Sequence, residues 1–262
     1  MEKAEIGIFG GSGISNINLL SEPIEINIDT PYGKPSDSII VGNFKGRRIA
    51  FLARHNRKHT IPPHLINYRA NIWAFKEIGI KRIIAPFAVG SLSEDIKPGD
   101  YAILSQYIDF TKSRKGTFFE NGKVAHISVS EPFCPELQNS ITKTFEKLGI
   151  KIYKDCNYVC IEGPRFSTKA ESSFFKQIGA NIIGMTLVPE YQLATEMQMC
   201  YGTLATVTDS DSWSKKPVTV KEAVKTFSKN VKKTKNIFEQ LIENIPIHRK
   251  CSCQKILEEA TL

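Results

Sequence analysis

Residues 62–88 read PPHLINYRANIWAFKEIGIKRIIAPFA, and this stretch decides the architecture. It predicts a helix that starts after Pro62-Pro63 and runs to about Ile78, where Gly79 can take the left-handed conformation that closes a helix. Arg82 to about Ala88 then reads as a buried strand. A helix delivering the chain into a buried strand is the building unit of an α/β sheet.

Toward the N-terminus lie four β-like runs, Glu5 to Phe9, Ile24 to Ile28, Ser38 to Val41 and Arg48 to Ala53, separated by glycine- or proline-bearing turns. Toward the C-terminus the alternation continues. Tyr101 to Ser105 reads as a strand, Pro135 to Leu148 as a helix closed by Gly149, and Tyr158 to Ile161 as β-like. Thr168 and Glu171 form a capping box for a short helix ending at Gly179. Asn181 to Met185 and Tyr201 to Val207 are the next strands, the second running into the turn Thr208-Asp209-Ser210-Asp211.

Thr219 and Glu222 make another capping box. After it Val220, Ala223, Val224, Phe227, Val231, Phe238, Leu241 and Ile242 recur at near-helical spacing with lysines between them. The expectation is a single α/β domain over residues 1–245, its central mixed β-sheet flanked by helices, and a tail over 246–262 that carries a Cys-x-Cys pair. Ligands of such folds gather at the C-terminal ends of the strands.

Composition narrows the function classes. The 262 residues are 41% hydrophobic and 24% charged, a globular balance, and no run of about 18 apolar residues suggests a membrane span. The N-terminus lacks a cleavable-signal layout, so the expected location is cytoplasmic. A formal net charge of +8 raises the question of nucleic acid, but the lysines crowd between Lys215 and Lys250 at intervals that face a helix toward solvent. No zinc-finger spacing or RNP-type motif accompanies them, and neither a nucleic acid nor a membrane is expected as partner.

Four groups of residues carry possible chemistry. Gly10-Gly11-Ser12-Gly13, directly after a strand, can converge backbone amides on an anion, or simply make a tight turn. Arg54-His55, followed by Arg57, Lys58 and His59 at another strand end, suits an oxyanion, or forms a solvated loop. Asp209 and Asp211 can both face one ligand, gripping a ring nitrogen and an exocyclic amine; an Asx-turn is the alternative, while the oxygen ligands of an EF-hand are missing. In Glu162-Gly163-Pro164-Arg165-Phe166-Ser167, Glu162 and Arg165 can satisfy one another while Phe166 either covers a planar ligand or joins the core. No Gly-x-Ser-x-Gly elbow and no Cys/His neighbours point to a nucleophile. An anion cradle, a cationic pair and a carboxylate pair at strand ends describe a site for phosphate plus an amine-bearing base.

The ordered motifs Gly-Gly-Ser-Gly at 10–13, Thr30-Pro31-Tyr32-Gly33-Lys34-Pro35-Ser36-Asp37, Ala53-Arg54-His55, Asn67 to Ala74 and Ala88-Val89-Gly90-Ser91-Leu92 resemble the trimeric purine nucleoside phosphorylases. Glu131 to Cys134, Ile161 to Ser167, Gly184 to Glu190 and Thr208 to Asp211 extend the resemblance to about residue 245, and it is closest to the 5′-methylthioadenosine phosphorylase branch. The resemblance implies a phosphorylase assembled as a trimer or dimer of trimers. It implies phosphate held by Ser12, Arg54, His55, the main chain at Phe87 and Ala88, and Thr186. Met185 would lie beneath the ribose, Phe166 and Ser167 beside the base, and Val220 by the 5′-thioether, with His126 reaching a neighbouring subunit's site.

Two positions depart from the family. Phe87-Ala88 stand where many relatives carry Thr-Ala, which leaves only backbone donation to phosphate. Ser210 replaces an aromatic residue between the aspartates, which would loosen the base pocket.

The chemistry expected is loss of the purine with charge developing at the anomeric carbon, Asp209 holding or sharing the proton at N7 and Asp211 accepting from the 6-amino group. Phosphate is the co-substrate, and no cofactor or metal is called for. Two carboxylates favour 6-aminopurines, with adenosine a slower second substrate; a 6-oxopurine phosphorylase and a non-catalytic nucleoside-binding protein are the competing readings. Cys251-Ser252-Cys253 can be a redox pair, half of a metal site or a free pair. Related tails in heat-adapted archaeal members imply a disulfide, with Cys134 and Cys200 as the expected internal pair.

Overall fold

A nine-stranded mixed sheet organises the protein, in the order β2-β3-β4-β1-β5-β8-β7-β6-β9, with a further pairing of β5 to β9. The strands are β1 (Ile6–Gly10), β2 (Ser21–Ile26), β3 (Ile39–Phe44), β4 (Arg47–Ala53), β5 (Arg82–Ser91), β6 (Tyr101–Phe110), β7 (Ile152–Ile161), β8 (Ile182–Gly184) and β9 (Cys200–Asp209). Because β9 bonds both β6 and β5, five of the strands close on themselves and the rest form an open wing. The computed structural model describes residues 3–10, 20–120, 122–214, 218–258 and 260, with 227–232 as helical backbone.

The helices are α1 (Tyr68–Glu77), α2 (Pro135–Lys147), α3 (Lys169–Gln177), α4 (Glu190–Glu196) and α5 (Val220–Asn244). The first starts later than its proline pair suggested. Pro63–Leu65 make only a 3-10 turn, Ile66 is extended, and α1 begins where the Asn67 side chain accepts from Ala70 N at 3.1 Å. The helix still ends as expected, with Gly79 at φ +85°.

Strand β6 runs past its expected end at Ser105, and β7 begins six residues before its expected start at Tyr158. Their outer halves are not a buried apolar run; they pair with each other in parallel from Tyr101↔Ile152 to Phe110↔Ile161, so ladder bonds hold residues whose side chains are partly exposed. Helix α4 went unread for the opposite reason. Six of its seven residues are buried, so the two turns have no polar face and no amphipathic period.

The box at Thr168 and Glu171 closes both ways, at 3.1 and 2.7 Å, and opens α3. At Thr219 the side chain accepts from Glu222 N at 3.2 Å. In α5, Ile237, Phe238, Leu241 and Ile242 are fully buried against Leu137, Ile141 and Phe145 of α2. At about 1.5–3 kcal/mol for each large apolar side chain, this C-terminal half anchors the helix. Val220 and Val224 stay 66% and 52% exposed, so the apolar stripe does not serve the core along its whole length.

The segment after α5 folds back on the body. Lys250 N donates to Glu136 Oε1 at 2.6 Å and Arg249 Nη1 to Gln198 O at 2.9 Å. All six cysteines are free thiols, so the expected Cys134–Cys200 bridge is not formed; both sulfurs instead share their surroundings with Cys251 and Cys253. Among the described residues no helix is long and apolar enough to cross a membrane.

Candidate active site

Strands β4, β1, β5 and β9 pair in parallel, so their C-terminal ends open on the same side of the sheet. They open into a cavity of about 820 Å³ that Gly10, Arg54, Phe87 to Gly90, Met185, Thr186 and Asp209 help to line. The strand ends thus bring together residues from across the chain, as expected for this sheet type.

At one end Arg54, just beyond β4, is 2% exposed and makes a two-pronged ion pair with Glu190, Nε to Oε2 at 2.6 Å and Nη2 to Oε1 at 2.7 Å. Nη1 reaches Pro86 O at 3.3 Å, and the guanidinium lies 5.0 and 5.1 Å from the ring centres of Phe9 and Phe87. Burial works against the charge, but the Glu190 carboxylate outweighs it and holds Arg54 above its ordinary range. Of the five N–H groups of an arginine, three are engaged among the described residues, which leaves there one on each terminal nitrogen for an anion. Tyr201 donates to Glu190 Oε1 at 2.7 Å and completes the network.

His55 beside it is neutral. Burial pushes its imidazolium down to about 4, against the pull of the Ile61 carbonyl, which takes Nδ1 at 2.8 Å. That bond places the proton on Nδ1 and leaves Nε2 as an acceptor, so His55 adds no positive charge. Arg57 adds none either, since its fork is taken by Glu25 and Asp37; Asp37, at the end of the Thr30-to-Asp37 motif, also caps Arg57 N at 2.7 Å. The motif therefore braces the loop that follows Arg54. Thr186 lines the cavity and is nearly buried, while the Phe87 ring is packed between Arg54 and Tyr158. Ser12 lies outside the described residues.

The opposite end holds the carboxylates. Asp211 N donates to Asp209 Oδ1 at 3.0 Å, an Asx-turn, and Thr208 Oγ1 donates to Asp209 Oδ2 at 2.8 Å. The Asx-turn therefore coexists with a place for both aspartates in the cavity wall. Asp211 is 3% exposed, and among the described residues its Oδ2 has no partner. Burial raises both acids; Thr208 and the Asp211 amide oppose it at Asp209, and the neighbouring Asp209 adds to the rise at Asp211. Gly90 of β5 is required here, because a Cβ would stand 2.8 Å from Asp209 Oδ1.

Ser210, expected at the base, does not line the cavity: with Asp209 and Asp211 turned inward, the residue between them faces elsewhere. Met185, Phe166, Ser167, Val220, Ala223 and Val224 also line the cavity. Phe166 is 37% exposed and belongs to the cavity rather than the core. Ser167 Oγ is buried without a partner among the described residues. Met185 Sδ would be 2.7 Å from a Cβ at Gly163, whose φ is +67°, so glycine lets the methionine lie flat on the turn. The exposed start of α5 finds its purpose here, as an apolar wall.

One expectation is corrected. Arg165 pairs with Glu171 at 2.6 Å, not with Glu162, because the acid that opens α3 lies beside it. Arg165 and the Thr168 amide hold Glu171 down at about 2, while Glu162 faces Arg114 at 3.5 Å. His126 is exposed and does not line this chain's cavity; its backbone N–H donates to Ala260 O at 2.7 Å. Glu190 and Tyr201 had no role assigned from the sequence. A glutamate after a proline carries no signal of the arginine it meets 136 positions away.

The chain matches the family model of the phosphorylase superfamily over residues 5–243. It is 64% identical over 261 residues to the S-methyl-5′-thioadenosine phosphorylase of Nitrosopumilus maritimus, with 99% of each chain covered. With the S-methyl-5′-thioadenosine phosphorylase of Thermofilum pendens it shares 50% identity over 262 residues, covering 100% of both. Among solved structures, a methylthioadenosine phosphorylase from an antarctic soil metagenomic library superposes with a TM-score of 0.94 at 40% identity, covering 100% of this chain and 93% of that one. A methylthioadenosine phosphorylase from Schistosoma mansoni in complex with adenine gives 0.91 at 34% identity, covering 98% and 96%.

Proposed function

The chain belongs to the phosphorylase superfamily, and from that premise we propose that it catalyses phosphorolysis of 5′-methylthioadenosine to adenine and 5-methylthioribose 1-phosphate. The observation that carries the reading is one cavity with a paired, permanently charged arginine at one end and, at the other, two carboxyls whose pKa burial raises. Those are the needs of the reaction: an anion to be placed and a base to be protonated as it leaves.

In this reading Asp209 holds or shares the proton at purine N7 and Asp211 accepts from the 6-amino group. The bond from N9 to C1′ breaks as positive charge develops at C1′, and a phosphate oxygen closes on that carbon. Arg54, Thr186, Ser12 and the main chain at Phe87 and Ala88 hold phosphate, which is a co-substrate; no resident cofactor is invoked. Since the Arg54 charge is balanced by Glu190, phosphate is placed by oriented N–H groups more than by net charge. The lone pair on His55 Nε2 suits a protonated phosphate oxygen.

Met185 lies beneath the ribose, Phe166 and Ser167 beside the base, and Val220, Ala223 and Val224 against the 5′-thioether. Placing His126 in a neighbouring subunit's site makes the enzyme a trimer or dimer of trimers, and its location is cytoplasmic. Phosphorolysis is tested by incubating the protein with methylthioadenosine, adenosine or inosine, with and without phosphate, and measuring free base. Adenine should appear only with phosphate, faster from methylthioadenosine than from adenosine. Hypoxanthine from inosine as the dominant product would overturn the base assignment while leaving the phosphate end intact.

A further inference from the structure

Four cysteines from three separate parts of the chain meet outside the cavity. Cys134 caps the N-terminus of α2, Cys200 opens β9, and Cys251 and Cys253 come from the returning tail. The first three are buried and the fourth half-buried. All four sulfurs lie within 4.8 Å of one another, and Cys200 Sγ is 3.3 Å from Cys251 Sγ. Four thiolates around one zinc at about 2.3 Å would stand roughly 3.8 Å apart at every edge of the tetrahedron. Two disulfides need only two close pairs; nothing in them requires all four sulfurs to be mutual neighbours.

The surroundings favour negative charge. Cys134 sits at the positive end of a 13-residue helix, which favours its thiolate. Arg82, the register partner of Cys200, is 1% exposed, and its Nε and Nη2 have no hydrogen-bond partner among the described residues. Its guanidinium touches both arms that carry the cysteines, Nη1 donating to Ile247 O at 3.3 Å and Nη2 lying 3.9 Å from Glu136 Oε2. A divalent ion held by four thiolates keeps two negative charges, which the helix end and Arg82, shared with Glu136, offset in part.

We propose that Cys134, Cys200, Cys251 and Cys253 form a structural site for a thiophilic divalent cation, zinc by preference, that clamps the C-terminal tail to α2 and β9. Binding replaces four S–H bonds with four metal–sulfur bonds and releases four protons to solvent. The clamped tail continues to Ala260, whose carbonyl takes the backbone N–H of His126, so the site also steadies the strip of surface that carries that histidine.

The test is titration of the reduced, chelator-stripped full-length protein with Co2+ in the absence of oxygen. About one equivalent per chain should bind, giving thiolate charge-transfer absorption and the red-region bands of a tetrahedral sulfur site, and Zn2+ should displace it. The double variant Cys251→Ser/Cys253→Ser, changed only in the tail, should lose both bands, and the buried Cys156→Ala should keep them. Circular dichroism of each variant confirms that it is folded. Reduced protein that shows no cobalt bands while all four thiols react with Ellman's reagent would overturn the site. Thiols missing on isolation and restored by reductant, again without metal uptake, would overturn it in favour of two disulfides.

Discussion

The Arg54 end of the cavity and the Asp209–Asp211 end differ in how completely buried charge is partnered. Arg54 and Glu190 exchange two bonds at 2.6 and 2.7 Å and Tyr201 adds a third, whereas the buried Asp211 keeps one oxygen with no partner among the described residues. A satisfied ion pair has one charge state over the whole working pH range and one geometry. An under-partnered buried carboxyl holds its proton more tightly than a free one, at Asp211 through burial and the neighbouring Asp209. The difference separates the two tasks of a group transfer, fixing an anion and moving a proton.

The comparison breaks first at the acids. Asp209→Ala should lower turnover by about two to four decades, the usual loss for an acid catalyst, with the apparent KM for phosphate little changed. Steady-state kinetics with both substrates varied would show it, and unchanged turnover would remove Asp209 from proton transfer.

At the other end the effect should fall on stability. Glu190→Ala leaves the Arg54 charge buried without its partner, and denaturant unfolding should show a loss of about 3–5 kcal/mol. The surviving folded enzyme should have a raised KM for phosphate. A neutral outcome on both readouts would mean that Arg54 has another counter-ion.

The smallest change sharpens the contrast. Asp211 binds its proton more tightly folded than unfolded, because its pKa is raised by burial and by Asp209. Its contribution to stability is therefore present below the unfolded value and is lost as pH rises through the folded one. Asp211→Asn removes that loss, so its melting temperature relative to the parent should rise from acid to pH 8, by about 1 kcal/mol equivalent. Melting curves at both pH values check the sign; a parent protein that gains on the variant as pH rises would mean Asp211 is stabilised as the anion.

Local backbone events were legible in the sequence. Gly79 ends α1, the Thr168 and Glu171 box opens α3, and Arg54, His55, Asp209 and Asp211 stand at or just beyond strand ends where a ligand was expected. Partnerships were not. Glu162 and Arg165 looked paired through proximity in the chain, yet each found another partner, and α4 lacked the polar face by which helices are recognised.

By itself the sequence determined the alternation of strand and helix, the caps, and which chemical groups stand at the strand ends, because those depend on neighbours within a few residues. Only the tertiary structure decided that Glu190 neutralises Arg54, that His55 is uncharged, and that cysteines 134 and 253 meet. The physical reason is that charge state and pairing follow desolvation and short-range contact, and both are set by how the fold buries and aims each group, with partners as far apart as Arg54 and Glu190.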